Sequence, residues 1–114
     1  MANCIFCKII NGEIPCNKVY EDDKILCFKD LNPGAPVHVL IIPKKHISSL
    51  NEVKEEDLEY INQIYIKLKL IVKTLGISED GYRLVVNCGT DGGQTVEHLH
   101  FHIMGGRAMQ WPPG

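Results

Sequence analysis

The segment Glu97-His98-Leu99-His100-Phe101-His102-Ile103-Met104 constrains the fold more than any other part of the chain, because polar and apolar residues alternate in it with a period of two. Only an extended strand turns that alternation into two faces, with His98, His100 and His102 on one and Leu99, Phe101 and Ile103 on the other. A strand that buries one face needs neighbours. Lys18 to Glu21 and Ile25 to Lys29 flank the polar turn Asp22-Asp23-Lys24 and read as a hairpin. After the break at Asn32-Pro33-Gly34, Val37 to Ile42 is β-branched and nearly all apolar, as in a central strand covered on both faces, and Pro43 ends it. Gly81 to Asn87 makes a fourth strand and Val96 to Met104 a fifth, before a Gly-Gly turn and the tail Trp111-Pro112-Pro113-Gly114.

One long helix lies among these strands. From about Lys54 to Leu75, apolar residues at Leu58, Ile61, Tyr65, Leu68, Val72 and Leu75 step by three and four into one stripe that should pack on the sheet, and Gly76 stops it. Cys4 to Ile10 reads as a short N-terminal helix stopped by Asn11-Gly12, with Pro15 barring continuation. Strands on both sides of one helix give an α+β fold with an antiparallel sheet of about five strands. The 114 residues, 45% hydrophobic and free of repeats or linkers, suffice for a single domain spanning 1–114.

The formal net charge of −2, with neither sign clustered, argues against nucleic acid as a partner. No apolar run approaches the roughly 20 residues that span a bilayer, and the opening lacks the order of a signal peptide, so no membrane is expected. The odd number of cysteines, Cys4, Cys7, Cys16, Cys27 and Cys88, points to thiols or metal ligands and not a disulfide framework. A cytoplasmic location follows as the expectation.

Three imidazoles on one face have three readings: a solvated surface, a metal site, or nucleophilic and acid–base chemistry near neutral pH. A three-histidine zinc site fails on distance, since i and i+4 of a strand lie about 13 Å apart while zinc wants each nitrogen at about 2 Å. At most two adjacent histidines can share one metal. The loop Cys88-Gly89-Thr90-Asp91-Gly92-Gly93-Gln94-Thr95 leads into this strand, and its glycines let backbone N–H groups approach an anion, or form an ordinary turn. It lacks the Gly-Lys-Ser/Thr of a Walker A loop. Cys4-x-x-Cys7 reads as a metal-binding pair, a free dithiol or a redox pair, and His46 as a ligand, a loop histidine or a donor to one of the others. Asp30 could cap a turn. His38 is assigned a structural role, facing away from the site, and Cys16, Cys27 and Cys88 are read as small core residues.

The pattern His-φ-His-φ-His-φ-φ at 98–104 resembles the signature of the histidine triad superfamily of nucleotide hydrolases and transferases. The likeness extends to Ile5-Phe6, Lys8-Ile9-Ile10, Glu13-Ile14-Pro15, Phe28 with Asp30, Ile42 to Ser48, Val85-Val86-Asn87, Asp91 to Gln94, and Gly105-Gly106-Arg107 through the Trp111-Pro112-Pro113-Gly114 ending, which is similar to the HINT branch. The resemblance implies a histidine triad fold and hydrolysis of the P–N bond of purine nucleoside 5′-phosphoramidates, of AMP-amine or AMP-lysine type, to a 5′-monophosphate and an amine. His100 would attack the α-phosphorus and carry the nucleotide. Its other nitrogen must then donate its hydrogen to a fixed acceptor, a part that a backbone carbonyl of the histidine segment could fill.

By the same resemblance His102 contacts phosphate oxygens and His98 orients its neighbours. Asn87, Gly93 and Thr95 bind the phosphate or leaving group, and the Thr95 hydroxyl, where the family often has serine, relays a proton to the amine. Asp30 takes the two ribose hydroxyls, and Ile5, Phe6, Ile9, Phe28 and Leu31 wall the purine slot. Cys4, Cys7, His46 and His98 hold a structural zinc as in many microbial members, with no organic cofactor. The family further implies a homodimer with one sheet continued across it, in which Trp111 of one subunit approaches the other's site. A binding or scaffold module with incidental turnover and a dinucleoside polyphosphate hydrolase are the alternatives; the intact triad argues against the first, the tail against the second.

Overall fold

The computed structural model describes residues 3–114. Its elements run α1 (Ile5–Ile10), β1 (Lys18–Glu21), β2 (Ile25–Lys29), β3 (Val37–Pro43), α2 (Leu58–Thr74), β4 (Tyr82–Val86) and β5 (Phe101–Gly105). The strands form one antiparallel sheet in the order β1-β2-β3-β5-β4. The α+β architecture read from the sequence is the one observed.

Strand parity builds two cores. On one face of β2 and β3, Ile25, Cys27, Val39 and Ile41 join Leu99, Phe101 and Ile103 against Ile64, Ile71 and Val72 of α2. On the other, Leu26, Phe28, Leu40 and Ile42 pack against Phe6 of α1. Covering both faces explains why these two strands carry almost no polar residues.

Three expectations need correction. The triad strand does not pair from Val96: residues 96–98 bend and the ladder begins at Phe101, so His98 and His100 precede it in a segment held by Leu99 N–H on the Ile47 carbonyl at 2.6 Å. The alternation survives, because Leu99 belongs to the same core as Phe101 and Ile103. The helical stripe holds for most of its length, with Val72 in the core and Ile61, Leu68 and Leu75 packed against it, but its margin is misplaced: Leu58 and Tyr65 are 44% and 55% exposed, while Ile64 and Ile71 fill the core. The buried face takes in Ile64 and Ile71 beside the stripe that steps by three and four, and a helix this rich in isoleucine and leucine offers both. The helix itself starts at Leu58, after a 3₁₀ turn over Glu55–Asp57 in which the Asp57 carboxylate accepts Lys54 N–H at 3.0 Å and pairs with the Lys45 ammonium.

Candidate active site and metal cluster

The ring protons of His98 and His100 follow from fixed backbone partners. His98 donates from Nε2 to the Pro43 carbonyl at 2.9 Å, which leaves its Nδ1 a lone pair. His100 donates from Nδ1 to the His98 carbonyl at 2.7 Å, so the lone pair of His100 is on Nε2. A carbonyl can only accept, and these two bonds therefore fix both tautomers.

His102 is set by a residue that sequence reasoning put elsewhere. His38 does not face away: its Nε2 lies 2.9 Å from His102 Nδ1 and 3.3 Å from an Asp30 carboxylate oxygen. Gly34 N–H donates to His38 Nδ1 at 2.9 Å, which puts the His38 proton on Nε2 and makes His102 Nδ1 its acceptor. The remaining proton of His102 is then on Nε2, a buried atom with no partner among the described residues. Burial pushes His102 down to about 4, which keeps it neutral near pH 7, and does the same to His98. Parity could have revealed His38. Leu40 and Ile42 share its face of β3 and line the α1 side, and Leu40 pairs directly with His102.

These groups border a slot of about 270 Å³. Ile5, Phe6, Ile9, Phe28, Asp30, Leu31, Thr95, His100 and His102 all line it. So do Leu40 and Asn17, which the sequence did not single out, and Cys16, which is half-buried at the slot and not the core residue expected; of the three cysteines read as core only Cys27 is buried. Phe6 stands edge-on to Phe28, His98 and His100, with ring centroids at 5.7, 5.8 and 5.1 Å. Leu31 sits at the rim, 86% exposed. Asp30 also takes part in a turn, accepting Asn32 N–H at 2.8 Å.

Asn87, Gly93 and Trp111 do not line this slot. Asn87 follows β4, and Gly93 turns the glycine loop at φ +80°, its N–H on the Thr90 carbonyl at 3.0 Å. Trp111 is 82% exposed, in a tail held to β4 by the Arg83 guanidinium on the Gln110 carbonyl at 2.9 Å. The loop is closed tightly, since a Cβ on Gly92 would lie 2.3 Å from the Cys88 carbonyl oxygen. Gln94 fastens it, accepting Gly89 N–H at 3.1 Å and donating to the Ser48 and Val96 carbonyls at 2.7 and 2.9 Å.

Behind the slot, Cys4, Cys7, His46 and His98 bring their donor atoms within 4.8 Å of one another. Sγ of Cys4 lies 3.4 Å from His98 Nδ1, and Sγ of Cys7 lies 3.3 Å from His46 Nδ1 and 3.6 Å from His98 Nδ1. A tetrahedral zinc with Zn–S of about 2.3 Å and Zn–N of about 2.0–2.1 Å has S···N edges of about 3.6 Å. The cluster has that size, and the Nδ1 lone pair of His98 is aimed into it. Burial, reinforced by the neighbouring Cys4 thiol, pushes the Cys7 thiol up to about 11, and a cation at the centre would reverse that preference. The donor set fits zinc.

A small α+β sheet with three alternating histidines, His100 and His102 of them lining a slot, defines a histidine triad protein, and the chain belongs to that superfamily: residues 3–111 match the family model described as the scavenger mRNA decapping enzyme C-terminal binding domain. It is 54% identical over 110 residues to a HIT-like protein of Synechocystis, covering 96% of each chain. It is 48% identical over 112 residues to a 14 kDa zinc-binding protein of Zea mays, covering 96% of this chain and 87% of that one. The crystal structure of a HIT family hydrolase from Legionella pneumophila superposes with a TM-score of 0.95 at 54% identity, covering 98% of this chain and all of the other.

Proposed function

We propose that this chain is a purine nucleoside phosphoramidase, hydrolysing the P–N bond of nucleoside 5′-phosphoramidates through a nucleotidyl intermediate on His100. One observation carries the reading: His100 Nδ1–H is spent on the His98 carbonyl, and in the neutral ring the nucleophilic lone pair is therefore on Nε2, at a slot walled by aromatic and aliphatic side chains. Hydrolase chemistry in a HIT family relative of the same fold supports it.

The purine lies between Ile5, Phe6, Ile9, Phe28 and Leu31, and the Asp30 carboxylate accepts from the ribose hydroxyls. His100 Nε2 forms a bond to the α-phosphorus as the P–N bond breaks, and the amine departs with a proton relayed by the Thr95 hydroxyl. His102 donates its Nε2–H to a phosphate oxygen, where a neutral donor stabilises charge without repelling the nucleophile. Water then adds to the phosphorus of the nucleotidyl intermediate, the P–N bond to His100 breaks with its electron pair returning to Nε2, and the proton that water releases makes good the one given to the amine. Asn87, just after β4, and Gly93, in the glycine loop, assist. Cys4, Cys7, His46 and His98 would hold a structural zinc, which would fix these four side chains and take no part in the bond changes. The working form is a cytoplasmic homodimer, with Trp111 acting at the partner's site.

Steady-state release of AMP from adenosine 5′-phosphoramidate tests this. Turnover in the wild type and its loss by at least about a thousandfold in His100→Ala, with equal folding by circular dichroism, are expected. Near-equal activity in both would remove His100 as nucleophile; an inactive wild type that binds AMP would favour a binding module.

A further inference from the structure

Helix α1 has two jobs that meet in six residues. It carries the slot wall at Ile5, Phe6 and Ile9, and it is flanked and tethered by the cluster cysteines Cys4 and Cys7. A helix of this length has little stability of its own. Its backbone hydrogen bonds beyond the helix reach no further than Gly12, Glu13 and Ile14. What attaches α1 to the sheet is side chains: Phe6 against Phe28, His98 and His100, and the two cysteines at 3.3 to 3.6 Å from His46 and His98.

His98 makes the second link. Its Nδ1 is a cluster donor, its Nε2–H is bound to Pro43, and its own carbonyl is the acceptor that fixes His100. Whatever holds the His98 ring holds that carbonyl too. The cluster and the slot therefore share two rigid parts, α1 and residue 98.

We propose that zinc binding at Cys4, Cys7, His46 and His98 and nucleotide binding in the slot are thermodynamically coupled, with Cys4 and Cys7 as positioning residues for the nucleotide. This rests on the nucleotide and zinc readings above. Zinc orders α1, so a nucleotide meets a formed wall and no longer meets the cost of ordering it. Coupling is reciprocal, so the factor by which zinc tightens nucleotide binding equals the factor by which nucleotide tightens zinc binding.

The test is a closed thermodynamic cycle on the full chain. AMP affinity is measured by calorimetry on zinc-loaded and chelator-stripped protein, and zinc affinity by competition with a chromogenic chelator, with and without AMP. Adenosine repeats the cycle with a ligand that has no phosphate to chelate free zinc. Zinc is expected to tighten AMP binding by about 5- to 150-fold, and AMP to tighten zinc binding by the same factor. Factors of one on both sides, with both ligands binding, overturn the coupling and leave the proposed function intact. Failure of AMP or of zinc to bind at all overturns the coupling together with the reading beneath it. Phe6→Ala cuts the contact from α1 to His98 and His100, and its coupling factor should fall toward one while zinc still binds; an undiminished factor would exclude α1 as the link. Cys4→Ser with Cys7→Ser should bind AMP as the stripped wild type does, whatever the zinc concentration. Should that variant not fold, the wild-type cycle decides alone.

Discussion

At the scale of single residues, the site is a set of tautomers chosen by atoms that cannot change role. His98 and His100 are set by carbonyls, while His102 is set indirectly, through Gly34 and His38. The indirect link is the fragile one. His38→Ala removes the donor to His102 Nδ1, letting His102 place its proton on either nitrogen. A fall in kcat on the order of tenfold is expected with KM little changed, and His38→Gln, which keeps a donor, should recover part of it. Burial adds a pH signature, since His102 is held at about 4 in the fold against an ordinary value near 6.5. The unfolded chain takes up this proton first as pH falls, so the contribution of a neutral His102 is fully present above pH 6.5 and is lost as pH drops toward 4. Denaturant titrations of zinc-free protein at pH 7 and pH 5 should show a stability loss smaller by roughly 1–2 kcal/mol in His102→Asn than in the wild type. Equal losses would show that His102 is not held neutral.

At the scale of elements, what could be read from the sequence follows from local periodicity. The parity of Leu99, Phe101 and Ile103, and the unbroken apolar runs of β2 and β3, put the sheet and its two cores within reach. The Cys4, Cys7, His46 and His98 set came by resemblance, and no local pattern links positions 4 and 98. The start of the β5 ladder was illegible because pairing depends on a partner strand, and β3 faces only Phe101 to Gly105. His38 was missed although parity places it beside Leu40, because one histidine in an apolar strand looks structural until its neighbour His102 is known. The stripe of α2 misled because polarity alone does not separate Tyr65 from Ile64. The glycine loop makes a sharper claim. A Cβ at Gly92 would meet backbone, the Cys88 carbonyl oxygen at 2.3 Å, which no side-chain movement relieves. Gly92→Ala must open the loop, and we expect weaker AMP binding by calorimetry with a stability cost of about 1–3 kcal/mol in urea. Unchanged affinity would separate this loop from the phosphate.

At the scale of the whole molecule, the two sheet edges are treated differently. The β1 edge carries Lys18 and Glu21, joined to each other and, through Glu21, to Lys44 at 2.7 Å, and its pairing with β2 is irregular. Charge and irregularity of this kind discourage further pairing. The β4 edge has only Arg83 as a charged residue, and that guanidinium is occupied by the tail carbonyl of Gln110. A second copy joined along β4 would continue the sheet and bring the exposed Trp111 close to the junction. This argues for the proposed homodimer and for its placement. Sedimentation should give twice the 12.8 kDa chain mass, and hydrogen exchange should find the outward amides of Tyr82 to Val86 protected, losing that protection on dilution into monomer. Free exchange along β4 in a dimeric sample would move the interface to another surface, such as the exposed Ile66 and Leu70 of α2. Removal of residues 111–114 then separates assembly from chemistry: if the tail acts at the partner's slot as proposed and does not hold the edges together, dimer mass should persist while the preference among amine leaving groups changes. A truncated dimer with wild-type preference would confine the tail to packing on Arg83.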